Sequence, residues 1–204
     1  MADLLERVAA GEVALDEAMA RLTAAPFVDE GFAKVDLQRA QRRGLAEVVL
    51  GLGKTPEQLV GIAKALLGHG QRVLATRVEP AGAEALKTIP NAVHHVVARC
   101  VTIAPHGEPA TPEPRGGTVA IVTAGTSDMP VAEEARVCAE ALGTRVDVIV
   151  DVGVAGIHRL LAVQDRLRAA RVLIVVAGME GALPSVVAGL GEVFWKFRID
   201  KSNG

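Results

Sequence analysis

Aromatic residues are nearly missing from this sequence, which has no Tyr, one Trp and four Phe among 204 residues. Its core must therefore be built from Val, Leu, Ile and Ala, a composition that suits parallel strands buried on both faces and speaks for an α/β protein. Cysteine is equally scarce: Cys100 and Cys138 are the only two, and they offer neither metal-ligand spacing nor a disulfide framework. A charge excess of either sign is also lacking. With 22 Lys and Arg against 24 Asp and Glu, the net charge is −2, which removes any bulk electrostatic case for nucleic acid or an anionic membrane as partner. No apolar run approaches the ~20 residues that span a bilayer. The opening "MADLLERVAAGEVALDEA" brings in acids too early for a secretory leader, so a cytoplasmic location is expected.

What is present is ordinary folded composition, 50% hydrophobic and 23% charged, on a chain long enough for one good-sized domain or two small ones. The stretch "GEPATPEPRGG" (107–117) holds three prolines and three glycines with no apolar periodicity, and reads as a linker or a long exposed connection. The expected organisation is an N-terminal helical and small α/β domain over 1–106, the linker at 107–117, a second α/β domain over 118–190, and a divergent tail at 191–204.

In the first part, "LLERVAAG" and "VALDEAMARL" carry apolar residues at helical spacing. "KTPEQLVGIAKALLGHG" is a helix with its punctuation in place: Thr55 as N-cap, Pro56 at the first helical position, Gln58 to complete a capping box, and Gly68 or Gly70 to end it. "QRVLATRV" and "AVHHVVARCVTIA" read as strands, separated by a short helical "AGAEALKTI". After the linker, strand and helix alternate three times. "TVAIVTAG", "RVDVIVDVGV" and "RVLIVVAG" are strands. "MPVAEEARVCAEALG" is a helix that puts Val131, Ala135, Cys138, Ala139 and Leu142 on one face, "IHRLLAVQDRLRAA" is a second helix, and "MEGALPSVVAGL" opens a third. This order predicts a doubly wound parallel sheet, which binds ligands at the carboxyl ends of its strands.

All three strand exits are glycine-containing loops followed by polar groups: Gly125 with Thr126, Ser127 and Asp128; Gly156 with His158 and Arg159; Gly178 with Glu180. Each feature has a plain structural reading, since Ser127 or Asp128 serves as an N-cap and Glu180 complements a helix dipole. Their convergence is the stronger signal, because the fold itself gathers the three loops at one edge. Elsewhere, "GLGKT" (51–55) ends like a phosphate-binding loop, but that motif needs glycine at position 48, where the chain has Val48. Lys54 and Thr55 then read as a helix start with the chemistry for a phosphate contact. His94 and His95 are adjacent in a strand, point to opposite faces and do not chelate together. Cys100 and Cys138 read as packing residues, because a reactive thiol wants an exposed electropositive setting.

The loops "GTSD", "GIHR" and "AGMEGALPS" resemble the Ser-Asp, His-Arg and Ala-Gly-rich loops of the PurE-type aminoimidazole ribonucleotide carboxylase fold. "EGFAKVDLQRAQRRGLAEVVLGLGKTPEQ", "AIVTAGTSDMPVAEEA", "DVGVAGIHRLL" and "VVAGMEGALPSVVAGL", in that order, resemble the LarB family of nickel-pincer cofactor biosynthesis over residues 1–190. The resemblance implies a PurE/flavodoxin-like sheet, incomplete at the C-terminus, behind a small α/β domain. It implies carboxylation of nicotinic acid adenine dinucleotide with carbon dioxide or bicarbonate, and cleavage of the phosphoanhydride to AMP and pyridinium-3,5-biscarboxylic acid mononucleotide. Under it, Glu180, Asp128 and His158 are the catalytic candidates. Gly125, Thr126, Ser127, Arg159, Asp36, Arg39, Arg42, Lys54 and Thr55 are the substrate-binding candidates. No resident metal or tightly bound cofactor is implied, magnesium being the one candidate companion. A homo-oligomer, octameric as in PurE-like proteins, is expected.

A pyridinium carbon is electron-poor, and the family is understood to activate it by adding a cysteine thiolate to the ring. The segment carrying that cysteine in the family has no counterpart in "GEVFWKFRIDKSNG" (191–204), and neither Cys100 nor Cys138 matches its position. The expectation is therefore an incomplete family member with little or no carboxylase activity. Alternative readings are a nucleotide-binding remnant without catalysis, or a purine-biosynthetic carboxylase acting on aminoimidazole ribonucleotide. As structure, "EVFWKFRI" suits a substitute strand.

Overall fold

The Val-, Ile- and Ala-rich strands assemble into two four-stranded sheets in a computed structural model that describes residues 2–23, 27–39, 47–178, 181–190 and 196–199. Helices α1 (Ala2–Ala9) and α2 (Leu15–Thr23) come first. A small antiparallel ribbon of β1 (Phe27–Asp29) and β2 (Lys34–Asp36) follows.

The first sheet has the order β3-β4-β6-β5, from β3 (Val48–Leu50), β4 (Val73–Thr76), β5 (Ala92–His95) and β6 (Cys100–Ile103). Only β3 and β4 run parallel. Period-two alternation splits its faces: Val73, Ala75, Val101 and Ile103 pack against Leu59, Ile62, Leu66, Ala83 and Leu86 of α3 (Pro56–Gly68) and α4 (Pro80–Leu86), while Leu74 and Cys100 face the other way. Helix α3 begins as its sequence dictates. The Thr55 hydroxyl accepts from the Gln58 amide at 3.3 Å and the Gln58 side chain accepts from the Thr55 amide at 3.0 Å, closing a capping box.

One expected strand folds back on itself. "AVHHVVARCVTIA" is two antiparallel strands, because residues 96–99 form a turn closed by the Arg99 amide donating to the Val96 carbonyl at 3.1 Å, with Arg99 at φ 52°. In that hairpin His95 bonds the Thr102 hydroxyl at 3.0 Å. Burial and the nearby Arg136 cation hold its pKa below the usual 6.5, against the opposing pull of Glu140 and Glu133. The unfolded chain therefore takes up this proton more readily than the folded one. Stability should fall as pH drops below about 6.5 and level off beneath the folded pKa; in His95→Gln, denaturation curves at pH 7.5 and 5.5 should differ less than in the parent.

The second sheet is wholly parallel, in the order β10-β9-β7-β8, from β7 (Thr118–Thr123), β8 (Arg145–Ile149), β9 (Val172–Val176) and β10 (Lys196–Ile199). The Lys196–Ile199 part of the tail is thus an edge strand on β9. On one face, Leu160, Leu167, Leu183 and Val187 from α6 (Ile157–Ala162), α7 (Gln164–Ala169) and α8 (Leu183–Leu190) pack on the strands. Helix α5 (Met129–Ala141) covers the other. This is the doubly wound α/β architecture, with its chain reversal between β7 and β9.

Helix α5 differs from its expected amphipathic form. Its fully buried residues are Ala132 and Val137, whereas Leu142, just past its end, is exposed. The helix is sandwiched: Ala132 packs on Ile121 and Val176 of its own sheet, and Val137 packs on Leu74, Ala98 and Cys100 of the other. Two opposed faces are covered, so no single stripe describes it. The connection at 107–117 is irregular and largely exposed, yet tied down. Arg72 donates to the Pro109 carbonyl at 2.8 Å and pairs with Glu108 at 2.7 Å, and the Arg115 amide donates to the Gly143 carbonyl at 2.7 Å.

Candidate functional site at the carboxyl edge of the parallel sheet

Thr123, the last residue of β7, organises the edge. It is wholly buried, its hydroxyl accepts from the Asp151 amide at 3.1 Å, and its carbonyl accepts from the Val152 amide at 3.0 Å. One residue on, the Ala124 amide donates to the Val176 carbonyl at 3.1 Å. The exits of β7, β8 and β9 are thereby bonded to one another at the chain reversal, where a parallel sheet opens its ligand crevice.

The first loop is a small ring. The Gly125 amide donates to Asp128 Oδ2 at 2.9 Å, and the Asp128 amide donates back to the Gly125 carbonyl at 3.2 Å. Thr126 and Ser127 stand exposed on a single 3-10 turn, whereas Asp128 is only 4% exposed. The carboxylate thus reaches backward to hold the loop, in the manner of an acid in the first turn, with Pro130 placed where a missing N–H costs nothing.

The second loop departs from the expected strand "RVDVIVDVGV". Strand β8 ends at Ile149, because the chain wraps around Thr123 and Asp151 turns into the left-handed region at φ 57°. Asp151 Oδ2 then accepts from Arg159 Nη1 at 2.6 Å. Gly153 is sterically required, since a Cβ there would lie 2.7 Å from the Ala124 carbonyl oxygen, whereas a Cβ on Gly156 would meet only the movable end of the Arg159 side chain. His158 is exposed beside them. In the third loop Gly178 is exposed just past β9, and Glu180 lies outside the described residues.

The loop candidates Gly125, Thr126, Ser127, Asp128, His158 and Arg159 therefore belong to two neighbouring exits of one sheet. The N-terminal candidates sit on the other sheet's side of the molecule. The Asp36 amide donates to Glu47 at 2.7 Å and its carboxylate accepts from the Gln38 amide at 3.0 Å. Arg39 is exposed next to them, Lys54 and Thr55 form the start of α3, and Arg42 lies outside the described residues. Thr123, Asp151 and Gly153 are members of the edge that sequence reasoning passed over. The only local trace was a polar residue and a glycine closing an apolar run.

Neither cysteine belongs to this edge. Cys100 is buried, its thiol donates to the Ala98 carbonyl at 3.2 Å, and Cys138 lies in the same cluster between the two sheets. The adjacent Cys138 sulfur and burial push the Cys100 thiol up from its ordinary pKa, which is the setting of an inert packing residue. Among the described residues, no three His, Cys, Asp or Glu side chains gather as a metal site, and no helix is long and apolar enough to cross a membrane.

Residues 27–105 match the LarB/PurE-like N-terminal domain family. An uncharacterized protein of Methanocaldococcus jannaschii is 35% identical over 202 residues, an alignment that takes in 94% of this chain and 77% of that protein.

Proposed function

The chain belongs to the LarB family, a carboxylase-like family, and from that premise we propose that the edge formed by the β7, β8 and β9 exits binds nicotinic acid adenine dinucleotide for carboxylation of its pyridinium ring. The observation that carries the reading is the pairing, at a parallel sheet's chain reversal, of an exposed Thr126-Ser127 turn over a buried Asp128 with an Arg159 guanidinium. Hydroxyls and a guanidinium fork are the donors a diphosphate or a carboxylate asks for.

In the family's reaction, as we propose it, a cysteine thiolate adds to the ring, the resulting enamine-like carbon attacks carbon dioxide, a carboxylate takes the ring proton, and the thiolate leaves. Neither Cys100 nor Cys138 supplies that thiolate at this edge, so the carboxylation step is proposed to be impaired in these 204 residues. Water then splits the phosphoanhydride to release AMP. Glu180 is the proposed proton acceptor, and Asp128 and His158 are the other proposed catalytic residues. Asp36, Arg39, Arg42, Lys54 and Thr55 are proposed to contribute to dinucleotide binding, any magnesium to accompany the phosphates, and the protein to work as a cytoplasmic homo-oligomer.

A second reading, binding without carboxylation, is favoured by the position of Cys100 and Cys138 between the sheets, away from the edge. Calorimetry with nicotinic acid adenine dinucleotide, followed by labelled-bicarbonate incorporation, separates the readings. Saturable binding is expected. Label in a mononucleotide product supports carboxylation by these 204 residues, binding without label supports the second reading, and binding of aminoimidazole ribonucleotide in preference to the dinucleotide overturns both.

A further inference from the structure

Asp151 is held in a conformation that L-residues with side chains rarely adopt, at φ 57°. The turn carries the Asp151 amide to the buried Thr123 hydroxyl, and its carboxylate pairs with Arg159, both side chains being well exposed, at 49% and 40%. Exposed pairs of this kind contribute little to stability. The aspartate that is tied to Thr123 thus also fixes the place of one guanidinium. A charged pair held to one geometry where it brings little stability is the pattern of a site that needs that geometry.

The placement is well determined. The Asp151 amide is pinned by the buried Thr123 hydroxyl, and the next amide by the Thr123 carbonyl, so the carboxylate is anchored to the end of the central strand. Through Nη1 it fixes the arginine fork, and the fork's other N–H groups remain for a ligand. A guanidinium oriented this way binds an oxyanion through parallel hydrogen bonds without first losing side-chain freedom.

We infer that Asp151 is the positioning residue for Arg159, holding its guanidinium at the sheet edge for two-point binding of a ligand oxyanion. The inference rests on the reading that the dinucleotide comes to this edge, and its oxyanion is either the diphosphate or the ring carboxylate. The test is calorimetric titration of parent, Asp151→Asn, Arg159→Ala and the double variant with nicotinic acid adenine dinucleotide and with NAD+, which carries an amide in place of the ring carboxylate.

Asp151→Asn, which tolerates the left-handed backbone, should weaken binding about tenfold, as loss of a supporting partner does. Its melting temperature should not fall. The same change made in Arg159→Ala should do nothing further, because the aspartate acts only through the arginine. Equal losses for both ligands assign the diphosphate; a loss confined to the acid dinucleotide assigns the carboxylate.

Tighter binding by Asp151→Asn would show that the aspartate competes with the ligand for Arg159, and would overturn the inference. Additive effects in the double variant would do the same. Inorganic diphosphate, followed at the Arg159 Nε–H signal by NMR, carries the test without the dinucleotide. If the dinucleotide fails to bind but diphosphate shifts that signal in the parent and not in Asp151→Asn, the functional reading fails and this inference stands. If neither the dinucleotide nor diphosphate moves the parent's signal, the inference fails.

Discussion

Gly153→Ala should destabilise the protein and disable its ligand edge together, although nothing in the local backbone forbids alanine. Gly153 sits at φ −58° and ψ 151°, a conformation any residue adopts, and on chain entropy alone alanine would stabilise by reducing the freedom of the unfolded state. Sterics decide otherwise. The new Cβ would meet the Ala124 carbonyl oxygen at 2.7 Å, and that oxygen belongs to backbone already bonded into the sheet, since the Ala124 amide donates to Val176. Neither side has a flexible end to yield. Relief requires the β8 exit to move away from the β7 exit, which strains the Thr123 bonds to residues 151 and 152. An overpacking cost of about 1–3 kcal/mol corresponds, for a chain of this size, to a melting temperature lower by roughly 2–12 °C. Affinity for the dinucleotide should drop with it by about tenfold or more, since the guanidinium of Arg159 is carried by the displaced segment. A melting temperature equal to the parent's with unaltered affinity would mean that the two exits are not held together as described.

How much of this was readable from the residues follows from the range of the interactions concerned. The start of α3 was legible in full because everything it needs lies within four residues, from Thr55 to Gln58. The strands of the second sheet and their order along the chain were legible because burial on both faces writes continuous Val and Ile runs. Asp128 was legible as a capping residue, but the partner it reaches, the amide of Gly125 behind it, was visible only in the folded loop. Asp151 was not legible. Its conformation is set by Thr123, 28 residues earlier, and in the sequence it passes for one more position of an alternating strand. The two-sided burial of α5 escaped for a related reason: a helix's apolar spacing reports one partner at a time, and the second partner here is a sheet from the other half of the chain. Arg42 and Glu180 lie outside the described residues, so for them the sequence reading stands alone.

Asp128 offers the sharpest separation of a structural from a functional carboxylate. Asp128→Ala should cost about 1–3 kcal/mol, because the Gly125 amide loses its acceptor in a place where Asp128 is 4% exposed and water does not readily substitute. The Thr126-Ser127 turn then loses its tie, and dinucleotide binding should fall below detection. Asp128→Asn distinguishes the roles. Its side-chain oxygen can accept from the Gly125 amide as the carboxylate does, so stability should return to within about 1 kcal/mol of the parent, and the loop should keep its form. If Asp128 only caps, ligand binding and any bicarbonate incorporation return along with stability. If its charge serves the ligand or a proton, Asn restores the fold without restoring the function. The functional reading predicts that second outcome: a thermally normal Asp128→Asn protein with impaired binding or turnover. Full recovery would confine Asp128 to holding the loop, and would leave recognition at this edge to the exposed hydroxyls and the Arg159 guanidinium.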